Sequence, residues 1–243
     1  MQWLFANLPM VLDLARQHLI LAIVPMLLGL VVSVPLAEFA RKYTVLRSVV
    51  LTASSLLYTI PSLALFIILP TILQRRILDP VNVIVALSLY AVALLVRAAI
   101  DALDSVPEDL RQSAMAMGYK PVRRFFAIDL PLSLPVMFAG LRVVSVSNIS
   151  LVSVAALLGI DNLGRLFTDG LQRDFVTEVW VGIIATLVLA LLVDLLLVLI
   201  ERMLTPWTRV SNRKGARTRE PEVPSSGSSG LIAQRSQAAG GSV

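Results

Sequence analysis

The residues whose types and spacing could do work in this chain gather between positions 108 and 131. Gln112-Ser113-Ala114 is followed by Gly118 and then by Ile128, Leu130 and Pro131. Arg123 and Arg124 stand between them, interleaved with Val122, Phe125 and Phe126. No nucleophile with a base and no set of side chains at metal-ligand spacing accompanies them. The chemistry on offer is recognition, by a basic and amphipathic surface with a glycine where the backbone must turn sharply. On composition alone, such a surface either docks a macromolecule or lies on the lipid headgroups with its arginines against anionic lipid.

Local signals give this segment a shape. Pro107 followed by Glu108 and Asp109 starts a helix with acidic residues at the positive end of its dipole. Leu, Arg, Gln, Ala and Met favour helix through 108–117, and Gly118 predicts a left-handed stop. Lys120-Pro121 opens a second short helix over 121–128, which Leu130-Pro131 is expected to end as the chain turns into the next apolar segment. The segment reads as a helix–glycine turn–helix knob.

The knob interrupts a chain built for lipid. The 243 residues are 57% hydrophobic and only 15% charged, with a mean hydropathy of +0.82. Soluble domains carry about 25% charged residues. Five apolar segments (19–37, 48–73, 81–96, 132–158 and 179–200) come close to the roughly 20 residues that a helix needs to cross a bilayer. Backbone in lipid must be helical or closed into a barrel, and unbroken apolar runs exclude the alternating barrel pattern. The expected fold is therefore an all-α integral membrane protein of about five transmembrane helices. With their flanks the spans cover about 19–40, 48–73, 81–100, 132–158 and 179–203. Residues 1–18 read as an interfacial amphipathic segment, 101–131 as the loop that carries the knob, and 207–243 as a disordered, polar tail.

Basic residues orient the bundle. Fifteen of the 21 lysines and arginines fall on the face that holds the knob and the C-terminus, and five on the other. The N-terminus is thus expected outside and the C-terminus and knob in the cytoplasm, in a multi-pass protein of the bacterial cell membrane. The net charge of +5 is spent on orientation in this reading, with no nucleic-acid partner. The chain has no cysteine, which excludes disulfides and thiolate chemistry. His18 is the one histidine and reads as an interfacial residue. No basic residue precedes Arg16, so the first span is expected to stay rather than be removed as a signal peptide.

The polar residues inside the spans each have two readings. Arg142 either pairs with Asp194 or Glu201, or lies beside a translocation path or a subunit seam. Ser147, Asn148 and Ser150, with Ser145 and Ser153, either pack helices or line a wet path. Ser54, Tyr58, Pro61 and Ser62 in the second segment pose the same choice, and Pro61 is expected to kink that helix.

The spacing Gln112-Ser113-Ala114-x3-Gly118-x9-Ile128-x-Leu130-Pro131 resembles the EAA loop of ABC importer permeases, EAA-x3-G-x9-I-x-LP. The chain departs from it at Gln112 and Ser113, and any ion pair made by the usual glutamate is lost here. Tyr58 to Leu65, Leu132 to Arg142, Ala155 to Gly164 and Asp194 to Pro206 are similar to the osmoprotectant branch of that family, whose members import glycine betaine, carnitine, choline or proline. Gly159-Ile160-Asp161-Asn162-Leu163-Gly164 stands where that branch has a Gly-rich stretch. The likeness covers roughly residues 15–206. It implies the type I ABC importer permease fold and alternating access. Gln112, Ser113, Ala114, Gly118, Arg123, Arg124, Ile128, Leu130 and Pro131 would couple the permease to an ATPase subunit. It implies a second permease subunit and an extracytoplasmic substrate-binding protein as further partners. The chain has no G-x4-G-K-[ST] pattern, so it needs no cofactor of its own, ATP and magnesium belonging to the ATPase. The rival readings are a permease for methionine or another amino acid, and a small secondary transporter acting alone.

Overall fold

The computed structural model describes residues 2–207; the tail expected over 207–243 lies almost wholly outside them. The helices are α1 (Gln2–Ala6), α2 (Leu8–Lys42), α3 (Thr44–Thr59), α4 (Ser62–Leu73), α5 (Pro80–Asp104), α6 (Glu108–Ala116), α7 (Pro121–Arg124), α8 (Leu130–Val154), α9 (Arg165–Gln172) and α10 (Val176–Leu204). A π turn, Phe125–Asp129, joins α7 to α8, and a 3-10 turn, Ala155–Leu158, follows α8.

Four helical stretches are long and apolar enough to cross a bilayer: Leu8–Lys42, Pro80–Asp104, Pro121–Leu158 and Val176–Leu204. The fifth expected span is broken, because α3 and α4 meet at 101°. Proline explains the break. It lacks an N–H and forces the residue before it out of the helical region; Ile60 and Pro61 both take extended backbone. The Tyr90 hydroxyl donates to the freed Ile60 carbonyl at 2.5 Å.

Two expectations need correction. Residues 8–18 are no separate interfacial segment but the first turns of α2, and their buried Val11 and Leu14 pack with Leu163 and Leu166. Nor does Leu130-Pro131 end a helix. Pro131 falls in the first turn of α8, where its missing N–H matters little. The π turn before it carries the helix on, with the Leu130 N–H bonded to the Phe125 carbonyl.

The core centres on α5, against which α2, α8, α3 and α4 all pack. Small residues let the helix axes approach: a Cβ on Gly29 would sit 2.6 Å from that of Ala91, and one on Gly140 would collide with Ala98. By contrast α10 buries only Glu178, Gly182, Val193 and Leu197. It lies along the bundle rather than within it.

Candidate functional site: the knob and its buried latch

The knob forms as its residues dictate. Gly118 adopts φ +82° and closes a paired helix stop. Its N–H bonds the Met115 carbonyl at 2.9 Å, and the Tyr119 N–H bonds the Ala114 carbonyl at 3.1 Å, which satisfies the last carbonyls of α6. A Cβ at Gly118 would meet nothing within 4 Å. The demand there is backbone conformation, not space.

Beneath the turn lies a charge cluster. Asp129 is fully buried and accepts from Arg111 Nε at 3.0 Å and from Arg124 Nε at 3.2 Å. Arg111, itself buried, also donates to the Leu103 carbonyl at the end of α5 and reaches Glu108 at 3.3 Å. One carboxylate thus ties α6, α7 and the entry to α8, while Arg111 ties them to α5. Buried charges need such partners. The arrangement fastens the knob to the end of α5 and the start of α8.

The motif residues divide between top and base. Gln112 and Ser113 are exposed, and the Ser113 hydroxyl donates back to the Asp109 carbonyl at 2.8 Å. Ala114 is fully buried. Arg123 is exposed, its guanidinium 5.0 Å from the Tyr119 ring centre, whereas Arg124 turns inward to the latch. Ile128, Leu130 and Pro131 are half-buried. Around the turn Met117 and Val122 are 69% and 71% exposed, while Phe126, 64% exposed, lies against the spans and lines a groove with Leu30, Val31 and Leu204. Met117, Val122 and Arg123 form an exposed apolar patch with a basic edge, a kind of surface that can dock a partner. Arg111 and Asp129 are the residues that the spacing did not single out. Their signal is Asp129 itself, a carboxylate at the mouth of an apolar segment that must find a cation.

Within the spans, Arg142 forms a two-pronged pair with Asp194, Nε to Oδ1 at 2.6 Å and Nη2 to Oδ2 at 2.8 Å. Asn148 is buried and donates to the Ala22 carbonyl at 3.2 Å. His18, expected at the interface, is fully buried, its Nε2 2.9 Å from the Ile149 carbonyl. The two side chains cross-tie α2 and α8. Ser54 is buried and Ser62 and Ser147 half-buried, while Ser150, Tyr58 and Pro61 are exposed. The polar set of the spans is therefore scattered between packing and open faces, not gathered in one pore.

A family model described as "Binding-protein-dependent transport system inner membrane component" matches residues 16–209. The osmoprotectant import permease protein OsmW of Salmonella typhimurium is 33% identical over 196 residues, 80% of this chain and 91% of that protein. The glycine betaine/carnitine/choline transport system permease protein OpuCD of Bacillus subtilis is 27% identical over 200 residues, 82% of this chain and 85% of that protein. An inward-facing structure of the MetNI methionine ABC transporter superposes with a TM-score of 0.69 at 18% identity, over 80% of this chain and 96% of that one.

Proposed function

The chain belongs to the family of binding-protein-dependent transport system inner membrane components, and on that premise we propose that it imports compatible solutes by alternating access, driven through the knob. It is a multi-pass permease of an ABC importer, a transport component rather than an enzyme, which sets aside the stand-alone carrier. An ATPase and a substrate-binding protein are the partners that the family implies. In our reading the knob is cytoplasmic and seats in the ATPase subunit, which supplies ATP and magnesium. A second permease subunit completes the path. The cargo is glycine betaine, carnitine, choline or proline. OsmW and OpuCD, whose names carry such solutes, support that cargo over methionine, since the MetNI likeness at 18% identity speaks to fold alone.

The observation that carries the docking is the latched knob with its exposed Met117, Val122 and Arg123. Met117→Asp and Val122→Asp alter only exposed side chains, so the subunit should insert normally. Co-purification with the ATPase is expected to fail in the double variant. An ATPase that still co-purifies in full would overturn the assignment of this surface.

A further inference from the structure

Most basic side chains of the spans are accounted for; Arg97 is not. It is exposed on α5, and among the described residues no carboxylate oxygen comes within 4 Å of it, Asp101 one turn along included. Its bond is to a neutral group, Nη2 donating to the Ser55 hydroxyl at 2.9 Å. A lone arginine near a helix end ordinarily reaches outward to the interface. This one does not. At the basic end of the two helices, Arg47 of α3 pairs with Asp104 of α5 at 2.8 Å. Arg97 lies seven residues, about 10 Å, in from Asp104, and Ser55 eight residues, about 12 Å, in from Arg47. The guanidinium is therefore held against α3, about two helical turns in from that ion pair. An exposed cation at the edge of an apolar run, held on a neutral partner, is open to an anionic ligand.

One turn further along α3, about 4.5 Å by helical rise, stands Tyr58, 45% exposed. Its ring meets that of Tyr90 edge-on, centroids 5.8 Å apart at 88°. Tyr90 is in turn fixed by its bond to the Ile60 carbonyl at the helix break. A positioned aromatic face thus sits one helical turn from a positioned guanidinium. The first suits a quaternary ammonium by cation–π attraction, and the second a carboxylate.

We infer that Arg97 and Tyr58 form a transient site for a compact zwitterion on its way through the permease, with the solute's carboxylate on Arg97 and its ammonium over Tyr58. The inference rests on the cargo reading given above. It makes α3 a selective wall of the path and the α3–α4 break the place where the solute pauses.

The absence of cysteine from the chain permits a direct test in the full complex, with its ATPase and binding protein, in proteoliposomes. Thr59→Cys places a thiol on an exposed position one turn from Ser55. A charged, membrane-impermeant methanethiosulfonate should label it, and glycine betaine should slow that labelling. Adding Arg97→Gln should abolish the protection and raise the KM for glycine betaine about tenfold, and Arg97→Lys should restore part of both. A thiol that does not label means that the face is packed or lipid-facing, and overturns the site. Labelling without protection, in a complex that imports glycine betaine, overturns it as well. A complex that imports neither glycine betaine, carnitine, choline nor proline sinks the cargo reading instead, and the site's ligand with it.

Discussion

Asp129 and Asp194 both bind arginine, and the difference between them separates a local latch from a long-range clamp. Asp129 is fully buried, takes two guanidinium groups, and finds them 18 and 5 residues away. Asp194 takes one, Arg142, at 52 residues' distance and through both oxygens, with side chains 28% and 41% exposed. A local and buried cluster folds a short segment into a rigid unit. A distant pair clamps two elements that also pack side by side, here α8 and the sparsely buried α10. Losing the first should disable the knob without freeing the spans, and losing the second should loosen α10 without touching the knob.

The largest effect is expected at the latch. Asp129→Ala strands Arg111 and Arg124 without their anion, and breaking a buried pair in this way costs about 3–5 kcal/mol. Uptake and ATPase coupling should be lost, and residues 108–131 should become open to limited proteolysis, while the spans still insert. Protease resistance equal to the unaltered subunit would count against a latch. At the clamp, Arg142→Ala and Asp194→Ala should each lower the melting temperature of the detergent-solubilised complex, and the double variant should fall little further. Additive losses would show that the two side chains act separately and would erase the contrast with Asp129.

How much of this was legible follows the range of the forces involved. The glycine stop at Gly118 and the helix before it are set by neighbours in sequence, and they stand where the pattern put them. The Arg142–Asp194 pair was legible as a choice of partners, because a charge amid apolar residues must be answered. The break at Ile60–Pro61 was legible only as a kink. Its 101° angle sits where Tyr90, thirty residues away, bonds the Ile60 carbonyl, a contact that the local pattern does not show. The course of Leu130-Pro131 was misjudged because a proline is a helix stop in the interior and an ordinary first-turn residue after a π turn. Similarly, His18 looked interfacial from its flanks, and only the approach of α8 buries it.

Two smaller tests sharpen the contrast by touching the knob without its latch. Gly118→Ala places a side chain in the left-handed region, a penalty of about 1–2 kcal/mol, with no steric clash to add. Gly118→Asn should be milder, since asparagine tolerates that conformation. Uptake should therefore rank glycine above asparagine above alanine, and an alanine variant as active as the parent would mean that the turn need not be left-handed. The smallest effect is expected for Gln112→Glu. The side chain is exposed, so stability should change by no more than about 0.5 kcal/mol, and the latch should be unaffected. What it changes is the charge presented at the top of the knob. If docking there rests on the apolar patch around Met117 and Val122, ATPase co-purification and uptake should respond to salt in the same way in both forms. A salt-dependent gain or loss on adding the carboxylate would place a charge contact at Gln112, and the apolar top would then share the docking with it.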